Sequence, residues 1–328
     1  MLTMTVLTGF ILNLLALILA LFLDLIFGEP PERLHPTVWM GRVVTSLKPL
    51  FKSTSMWKVR LGGIVLWIIC VALFAVPAFT LMTFASKYLG AAGYVVASAI
   101  ILKTSFALKS WDSHAIPVAK ALESKMIEEA RKLGQKTVRR DLSSADEQHV
   151  VSASVETIAE GIVDGYASPI FYFALLSAPG AIAYRMINTL DSMVGYKDQE
   201  YSNLGWFSAK MDTVANYIPA RITGYVMLLA SGLAGENWRR AKSIFVRDRG
   251  TLESLNAGWP MSAMAGALGV RLEKAGNYGL GEADETLTAS HIYRAMNIMR
   301  TTCAVFTVIV ALPLTYGIQL LQRLMGTI

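Results

Sequence analysis

Three long uncharged stretches stand out in the pattern of hydrophobic and polar positions. Residues 1–23, 61–86 and 301–322 contain no Asp, Glu, Lys or Arg and are rich in Leu, Ile, Val, Ala and Phe. About 20 helical residues, at a rise of 1.5 Å each, match a hydrocarbon core of roughly 30 Å. The pattern therefore predicts membrane helices over residues 4–27, 61–86 and 301–322.

Three further apolar stretches are less regular. Residues 88–108 are interrupted by Lys103, residues 165–184 contain Pro169 and Pro179, and residues 222–235 are short for a full crossing. Broken or short apolar segments persist at membrane depth only where protein or a water-filled cavity surrounds them. We expect 88–108 to be a membrane helix, 165–184 either to cross or to re-enter, and 222–235 to be a short membrane segment. The total is about four to six membrane helices or half-helices.

The polar segments predict the orientation. Residues 28–60 contain six Lys or Arg against two acids, and residues 236–300 contain nine Lys or Arg. Loops rich in Lys and Arg stay on the cytoplasmic side. We expect the polar segments 28–60, 109–164, 185–221 and 236–300 to be cytoplasmic and helical. The fold class is then all-α, a single domain over 1–328 that is multi-pass in the cell membrane with its active face in the cytoplasm.

Composition narrows the class of protein. Charged residues make up 16% of the chain and hydrophobic residues 54%, with a mean hydropathy of +0.45, whereas a soluble domain carries about a quarter charged residues. The net charge of +6 is typical of cationic anchors on the cytoplasmic side of a membrane protein. A lipid bilayer, and no nucleic acid, is the expected environment. Cys70 and Cys303 lie in apolar runs, which excludes a disulfide framework.

An acidic stripe is the first candidate for chemistry. Glu156, Glu160 and Asp164 are spaced by four, which places them on one face of a helix. Like charges at this spacing repel unless a cation lies across them. Carboxylates together with water suit Mg²⁺. The stripe predicts a magnesium site, and a solvated helix face is the alternative.

A second group of polar residues interleaves carboxylates, amides and cations. The motif around Asp24 also places His35 beside an inner membrane boundary, where an ordinary interfacial turn is the alternative. No Walker sequence or G-x-G-x-x-G occurs, so a P-loop or Rossmann site has no support. The candidates for binding substrate or phosphate, or for catalysis, are His35, Arg139, Asp141, Asn188, Asp191, Lys197, Asp212, Asn216, Arg221 and Asn256.

Four stretches together resemble the CobD/CbiB family, the membrane-bound adenosylcobinamide-phosphate synthases. They are DLIFGEPPERLHPTVWMGR, VRRDLSSADEQHVVSASVETIAEGIVDGYASPIFY, YRMINTLDSMVGYKDQEYSNLGWFSAKMDTVANYIPARIT and SLNAGWPMSAMAGALGVRLEKAGNYGLG. They occur in family order and cover nearly the whole chain. The chain departs from the family pattern at Gly161, Thr213 and Leu255, which takes these three residues out of any catalytic list.

The resemblance implies a carbon–nitrogen ligase of cobalamin biosynthesis that uses ATP and Mg²⁺. It would join (R)-1-amino-2-propanol phosphate to adenosylcobyric acid, through an acyl phosphate or an acyl adenylate. In this hypothesis Glu156, Glu160 and Asp164 hold the metal. Catalytic roles fall to Glu156, Glu160, Asp191 and Asp212, and substrate or phosphate binding to His35, Arg139, Asp141, Asn188, Lys197, Asn216, Arg221 and Asn256. A second copy of the chain and other corrinoid-pathway enzymes are candidate partners.

Other classes of protein remain open. A non-catalytic AmpE-like membrane sensor, a corrinoid carrier, a transporter and a lipid-modifying transferase would each share part of this pattern. A transporter places ionisable residues mid-membrane, facing a pore. Here the long apolar spans are nearly free of charge and the polar residues are expected on one side, which favours the enzyme.

Overall fold

The computed structural model describes residues 2–31, 33, 35–138, 140–196, 201–274 and 276–326. Nearly all regular structure is helical, which confirms the all-α class. The helices are α1 Leu2–Phe27, α2 Pro36–Leu47, α3 Met56–Lys103, α4 Ser110–Glu123, α5 Ile127–Gln135, α6 Glu147–Ile162, α7 Ser168–Val194, α8 Trp206–Leu233, α9 Trp238–Asp248, α10 Gly258–Leu268, α11 Ala289–Phe306 and α12 Leu312–Leu324. A 3₁₀ turn covers Lys48–Phe51, and π-helical turns at Val163–Ala167 and Thr307–Ala311 join α6 to α7 and α11 to α12.

Two short strands were not expected from the sequence. β1 Leu272–Lys274 pairs antiparallel with β2 Tyr278–Leu280, in a register that sets Leu272 opposite Leu280 and Lys274 opposite Tyr278. Three residues per strand are too few for alternation to be recognised in a sequence.

Four helical runs are long and apolar enough to cross a membrane. They are Val6–Phe27, Met56–Lys103, Glu147–Val194 and Ala289–Leu324. Many of their large apolar side chains are exposed, among them Phe22 on α1 and Leu73 and Phe79 on α3. An exposed apolar surface of this extent is typical of contact with lipid.

The chain divides into two compact units. Unit 1 comprises Met1–Ala107, Ser168–Asn216 and Ile309–Ile328, and unit 2 comprises Leu108–Ala167 and Tyr217–Val308. In unit 1, α3 packs against α1 and α7 around a core that includes Met40, Val44, Leu66, Met186 and Leu190. In unit 2, α6 packs against α11, α10 and β1, and ten of its sixteen residues are buried.

Two long helices of unit 1 are interrupted. Helix α3 bends at Gly90, whose φ of 65° lies in the left-handed region that glycine adopts without a Cβ penalty, so that residues 56–89 and 91–103 form separate segments. Helix α7 bends at Ser177, two residues before Pro179, with a φ of 57°. Positive φ costs energy in a residue with a Cβ. Here the Tyr94 hydroxyl donates to Ser177 Oγ at 3.4 Å, and Ser177 Oγ donates to Asn13 Oδ1 at 3.3 Å.

Candidate functional site

The Glu156 carboxylate lies inside unit 2 and is satisfied by protein donors. It is 5% exposed. Oε1 accepts from the Ser152 hydroxyl at 2.6 Å, and Oε2 accepts from the Tyr278 hydroxyl at 2.6 Å and lies 2.7 Å from Arg140 Nη2. The β-hairpin supplies Tyr278, and its Glu273 carbonyl accepts from Arg140 Nη1 at 3.0 Å. This buried ion pair ties the hairpin to α6.

The electrostatics of this cluster are visible in Tyr278. Burial, then the charge and hydrogen bond of Glu156, and finally the charge of Glu160 raise the pKa of the Tyr278 hydroxyl above its usual value, with Arg140 acting against them. The phenol therefore stays protonated at neutral pH and keeps donating to Glu156. Glu160 is close enough to act on Tyr278 electrostatically.

The predicted acidic stripe has three different environments. Glu156 is buried and paired, Glu160 is exposed, and Asp164 lies half-buried in the π-helical turn Val163–Ala167. Within the ranges that the structure describes, no group of three or more His, Cys, Asp and Glu is arranged to hold a metal ion. The magnesium role of the stripe stays a prediction, and the structure gives Glu156 protein partners of its own.

The Asp212 carboxylate in unit 1 is held by two side-chain amides. Oδ1 accepts from Asn188 Nδ2 at 3.3 Å, and Oδ2 accepts from Asn216 Nδ2 at 3.1 Å. The Asn216 Oδ1 atom in turn accepts from the hydroxyls of Ser168, at 2.6 Å, and Tyr184, at 2.8 Å. Because two hydroxyls fix the Asn216 carbonyl, its NH₂ group must face Asp212. The buried amide thus orients a carboxylate that is itself only half-buried.

Arg185 extends this network in unit 1, and Lys103 forms an ion pair in the same unit. Arg185 Nη1 donates to Asn188 Oδ1 at 3.3 Å, and its Nε donates to the Ser105 carbonyl at 2.7 Å. Lys103 Nζ lies 2.8 Å from Asp24 Oδ1, in an ion pair whose carboxylate is fully buried. The desolvation of two charges costs so much free energy that a well-packed apolar pair at the same position is often at least as stabilising. A buried pair near the end of α1 is therefore a functional candidate rather than a source of stability.

His35 joins the same unit through Glu29. Its Nε2 lies 2.6 Å from Glu29 Oε2, and its Nδ1 accepts from the Thr37 backbone N–H at 3.2 Å, which caps α2. Burial opposes ionisation of Glu29, but the His35 hydrogen bond and the charges of Lys103 and Arg185 outweigh it and lower the pKa of the carboxyl. Glu29 therefore stays ionised, within electrostatic reach of both cations.

Arg221 and Asn256 meet in unit 2. Arg221 Nη1 donates to Asn256 Oδ1 at 3.3 Å and to the Tyr217 carbonyl at 2.7 Å, and the guanidinium also stacks on the rings of Tyr217 and Trp259. Among the residues that the structure describes, all the acceptors of Arg221 are neutral, so no carboxylate there compensates its charge.

Two other predicted residues, Asp141 and Asp191, lie before α6 and near the end of α7. Asp141 lies on an exposed turn where Oδ1 accepts from the Ser143 N–H at 2.8 Å, and this bond lowers the pKa of its carboxyl. Asp191 lies half-buried near the end of α7. Arg139 and Lys197 lie outside the described residues.

Comparison with known proteins decides the family. The model of the family described as CobD/Cbib protein matches residues 17–302. The chain belongs to the CobD/CbiB family. Two archaeal relatives, from Methanothermobacter thermautotrophicus and Thermoplasma volcanium, are both named "Probable cobalamin biosynthesis protein CobD". The first is 40% identical to the chain over 295 residues, which cover 90% of this chain and 96% of the relative, and the second is 41% identical over 302 residues, which cover 92% and 97%.

A bacterial relative agrees with the archaeal ones. The "Cobalamin biosynthesis protein CobD" of Dehalococcoides mccartyi is 39% identical over 270 residues, which cover 82% of this chain and 87% of that protein. No solved structure matches the chain. Membership of the CobD/CbiB family supports a role in cobalamin biosynthesis.

Several residues of this CobD/CbiB chain enter the clusters without having been among the candidate site residues. Lys103 interrupts one apolar stretch and Arg185 directly follows another, and an ionisable residue at such a position indicates function. Tyr278 gave no signal, because only the pairing of β1 with β2 brings its hydroxyl to Glu156.

Proposed function

We propose that the chain is the ATP-dependent ligase that joins (R)-1-amino-2-propanol phosphate to adenosylcobyric acid, giving adenosylcobinamide phosphate. The observation that carries the proposal is the family match over residues 17–302, with relatives named for cobalamin biosynthesis. The Asp212 network of unit 1 adds support, because it offers an oriented carboxylate of the kind that an amide-forming reaction uses.

The chemistry requires activation of a carboxylate. The corrinoid carboxylate attacks the γ-phosphorus of ATP, so that an acyl phosphate forms and ADP leaves. The amine of the second substrate then attacks the acyl carbon, loses a proton to a base and expels inorganic phosphate. No protein nucleophile is needed, so the catalytic work is positioning, charge neutralisation and proton transfer.

Asp212 is the residue we assign to the amine. Two amide donors hold its carboxylate in one orientation, in which it can accept a hydrogen bond from the neutral amine of the substrate. As the carbon–nitrogen bond forms, the same carboxylate takes the proton that the nitrogen loses. Asn188 and Asn216 then act as positioning residues.

Mg²⁺ would enter as the complex with ATP. This ion usually binds through one or two carboxylates, keeps several waters and coordinates substrate phosphates, so it does not require a cage of three protein ligands. The exposed Glu160 and the half-buried Asp164, both in unit 2, are carboxylates of the fitting kind. When bound, the ion would neutralise charge on the transferred phosphoryl group.

A reconstitution assay tests the proposal. Detergent-purified chain is supplied with adenosylcobyric acid, aminopropanol phosphate, ATP and Mg²⁺, and the corrinoid product is followed by mass spectrometry and the nucleotide by chromatography. We expect a product that requires all four components, with ADP formed in equal amount. Formation of AMP in place of ADP would indicate an acyl adenylate intermediate rather than an acyl phosphate. Tight corrinoid binding without product would instead favour a carrier, and neither binding nor product would exclude the proposed reaction.

A further inference from the structure

Two guanidinium groups of unit 2 lie over a single indole ring. The ring belongs to Trp259 in the first turn of α10, and its centroid is 4.8 Å from Arg221 Cζ and 4.9 Å from Arg249 Cζ. The separation of the two cations is at most the sum of these distances, which is close to the Debye length of about 10 Å at 0.1 M salt. The two like charges are therefore no more than about one Debye length apart, and salt screens the repulsion between them only in part.

Neutral groups hold both arginines in place. Arg221 donates to the carbonyl oxygens of Tyr217 and Leu255 and to Asn256 Oδ1. Arg249 Nη1 donates to the Tyr225 hydroxyl at 3.5 Å. The backbone around Arg249 is close-packed, because a Cβ at Gly258 would lie 2.4 Å from the Arg249 carbonyl oxygen. In the part of the chain that the structure describes, neither guanidinium forms an ion pair with a carboxylate.

Most other arginines of unit 2 that the structure describes contact carboxylates; Arg239, which lies over Trp238, is an exception. The pairs are Arg140 with Glu156, Arg240 with Asp284, Arg247 with Asp248 and Glu282, Arg294 with Glu236 and Glu285, and Arg300 with Asp112. A pair of adjacent cations without such a partner is costly unless an anion compensates it. Arginine can bind phosphate through two parallel N–H donors while its plane stacks on an aromatic ring, and both guanidinium groups here lie over the Trp259 ring.

Exposed aromatic rings flank the two cations. Tyr217 is 46% exposed and Tyr225 is 55% exposed. The Tyr225 ring packs edge-on against Trp259 and Phe245. A nucleobase stacks on exposed aromatic side chains irrespective of its identity. The surface therefore combines donors for phosphate with rings for a base.

We propose that Arg221, Arg249, Trp259, Tyr217 and Tyr225 form a nucleotide-binding site. The two guanidinium groups bind phosphate oxygens, and a tyrosine ring stacks on the base. This inference deepens the proposed function, which it presupposes, because ATP is the co-substrate of that reaction. An anionic lipid headgroup offers the same phosphate chemistry without the base, and the experiment below separates the two sources.

Calorimetric titration of the detergent-purified full chain tests the site without corrinoid or amine. The ligands are ATP, inorganic triphosphate, adenosine and micelles that contain phosphatidylglycerol. We expect ATP to bind more tightly than triphosphate, and R249Q to weaken ATP binding by about 10- to 100-fold. Tyr225→Ala should weaken ATP binding while leaving triphosphate affinity unchanged. Thermal unfolding of each variant verifies that it is folded.

The matched control is R239Q. Arg239 is in the first turn of α9, the helix that Arg249 directly follows. It lies over Trp238 at 5.3 Å and carries the same charge, but it is not at Trp259. We expect its ATP affinity to equal that of the wild type. Wild-type ATP affinity in folded R249Q would overturn the inference. An R249Q variant that loses only its binding to phosphatidylglycerol micelles would overturn it too. If ligation proceeds and ATP affinity does not depend on Arg249, only the nucleotide-site inference fails. If ATP binding requires Arg249 but no ligation occurs, only the proposed function fails.

Discussion

Glu156 in unit 2 and Asp212 in unit 1 are both carboxylates on long helices, but their surroundings differ. Glu156 is almost fully buried and is held by a cation, a phenol and a hydroxyl. Asp212 is half-buried and is oriented by two neutral amides. A guanidinium lies against the first carboxylate, and two amide donors orient the second. We therefore expect Glu156 to act mainly in stability, and we propose Asp212 for the chemistry.

The largest effect on kcat is expected from substitution of Asp212, the carboxylate that we propose for catalysis. Asp212→Asn keeps the size of the side chain but removes the proton acceptor, so kcat for ligation should fall by about 10²- to 10⁴-fold. The free energy of unfolding should fall by about 1–3 kcal/mol, because the new Nδ2 group faces an amide donor where a carboxylate oxygen accepted before. Thr213→Ala is the control, since this hydroxyl donates to the Ala209 carbonyl on the same helix. A folded Asp212→Asn variant with wild-type kcat would remove Asp212 from the reaction.

Glu156 should instead affect the fold. Glu156→Gln leaves Arg140 without its buried counter-charge, and breaking one partner of such a pair costs about 3–5 kcal/mol. Chemical denaturation in detergent would measure the loss. Replacing both partners, with Arg140→Met and Glu156→Leu, should recover much of it, because no uncompensated charge remains. Equal stability of wild type and Glu156→Gln would contradict the structural role.

The two hydroxyls that donate to Asn216 Oδ1 test how Asp212 is oriented. Ser168→Ala and Tyr184→Phe each remove one donor from Asn216 Oδ1, and each should cost about 1 kcal/mol of folding free energy. The double variant frees the amide to rotate, so kcat should fall more than the two single effects combined. A double-mutant cycle on kcat and on stability measures this coupling. Strict additivity in kcat would mean that the amide does not orient Asp212.

The smallest effect is expected in the alkaline range. The pKa of Tyr278 is raised in the folded chain, whereas an unfolded tyrosine titrates near pH 10. The folded state therefore holds this proton more tightly, which adds stability below about pH 10 that is lost as the pH rises further. Tyr278→Phe should flatten that loss in thermal unfolding scans. Parallel curves for the two proteins above pH 10 would show that the phenol does not stabilise Glu156.

The sequence predicted the helical class and the apolar spans because both depend on local pattern. It also identified Asp212, Asn188 and Asn216, which lie together in unit 1. It did not separate Glu156 from Asp212, since the partners that distinguish them come from distant parts of the chain. Arg140 and Tyr278 reach Glu156 only through the loop before α6 and the short β-hairpin, and neither contact follows from spacing along α6.

The most direct test compares turnover per folded molecule in Asp212→Asn and Glu156→Gln. Ligation would be assayed at saturating ATP, Mg²⁺ and aminopropanol phosphate, and each rate divided by the folded fraction from unfolding curves on the same preparation. We expect turnover per folded molecule to fall by at least about 100-fold in Asp212→Asn. We expect the rate for Glu156→Gln to lie within a few-fold of the wild type. The opposite ranking, with Glu156→Gln inactive per folded molecule and Asp212→Asn active, would contradict the assignment.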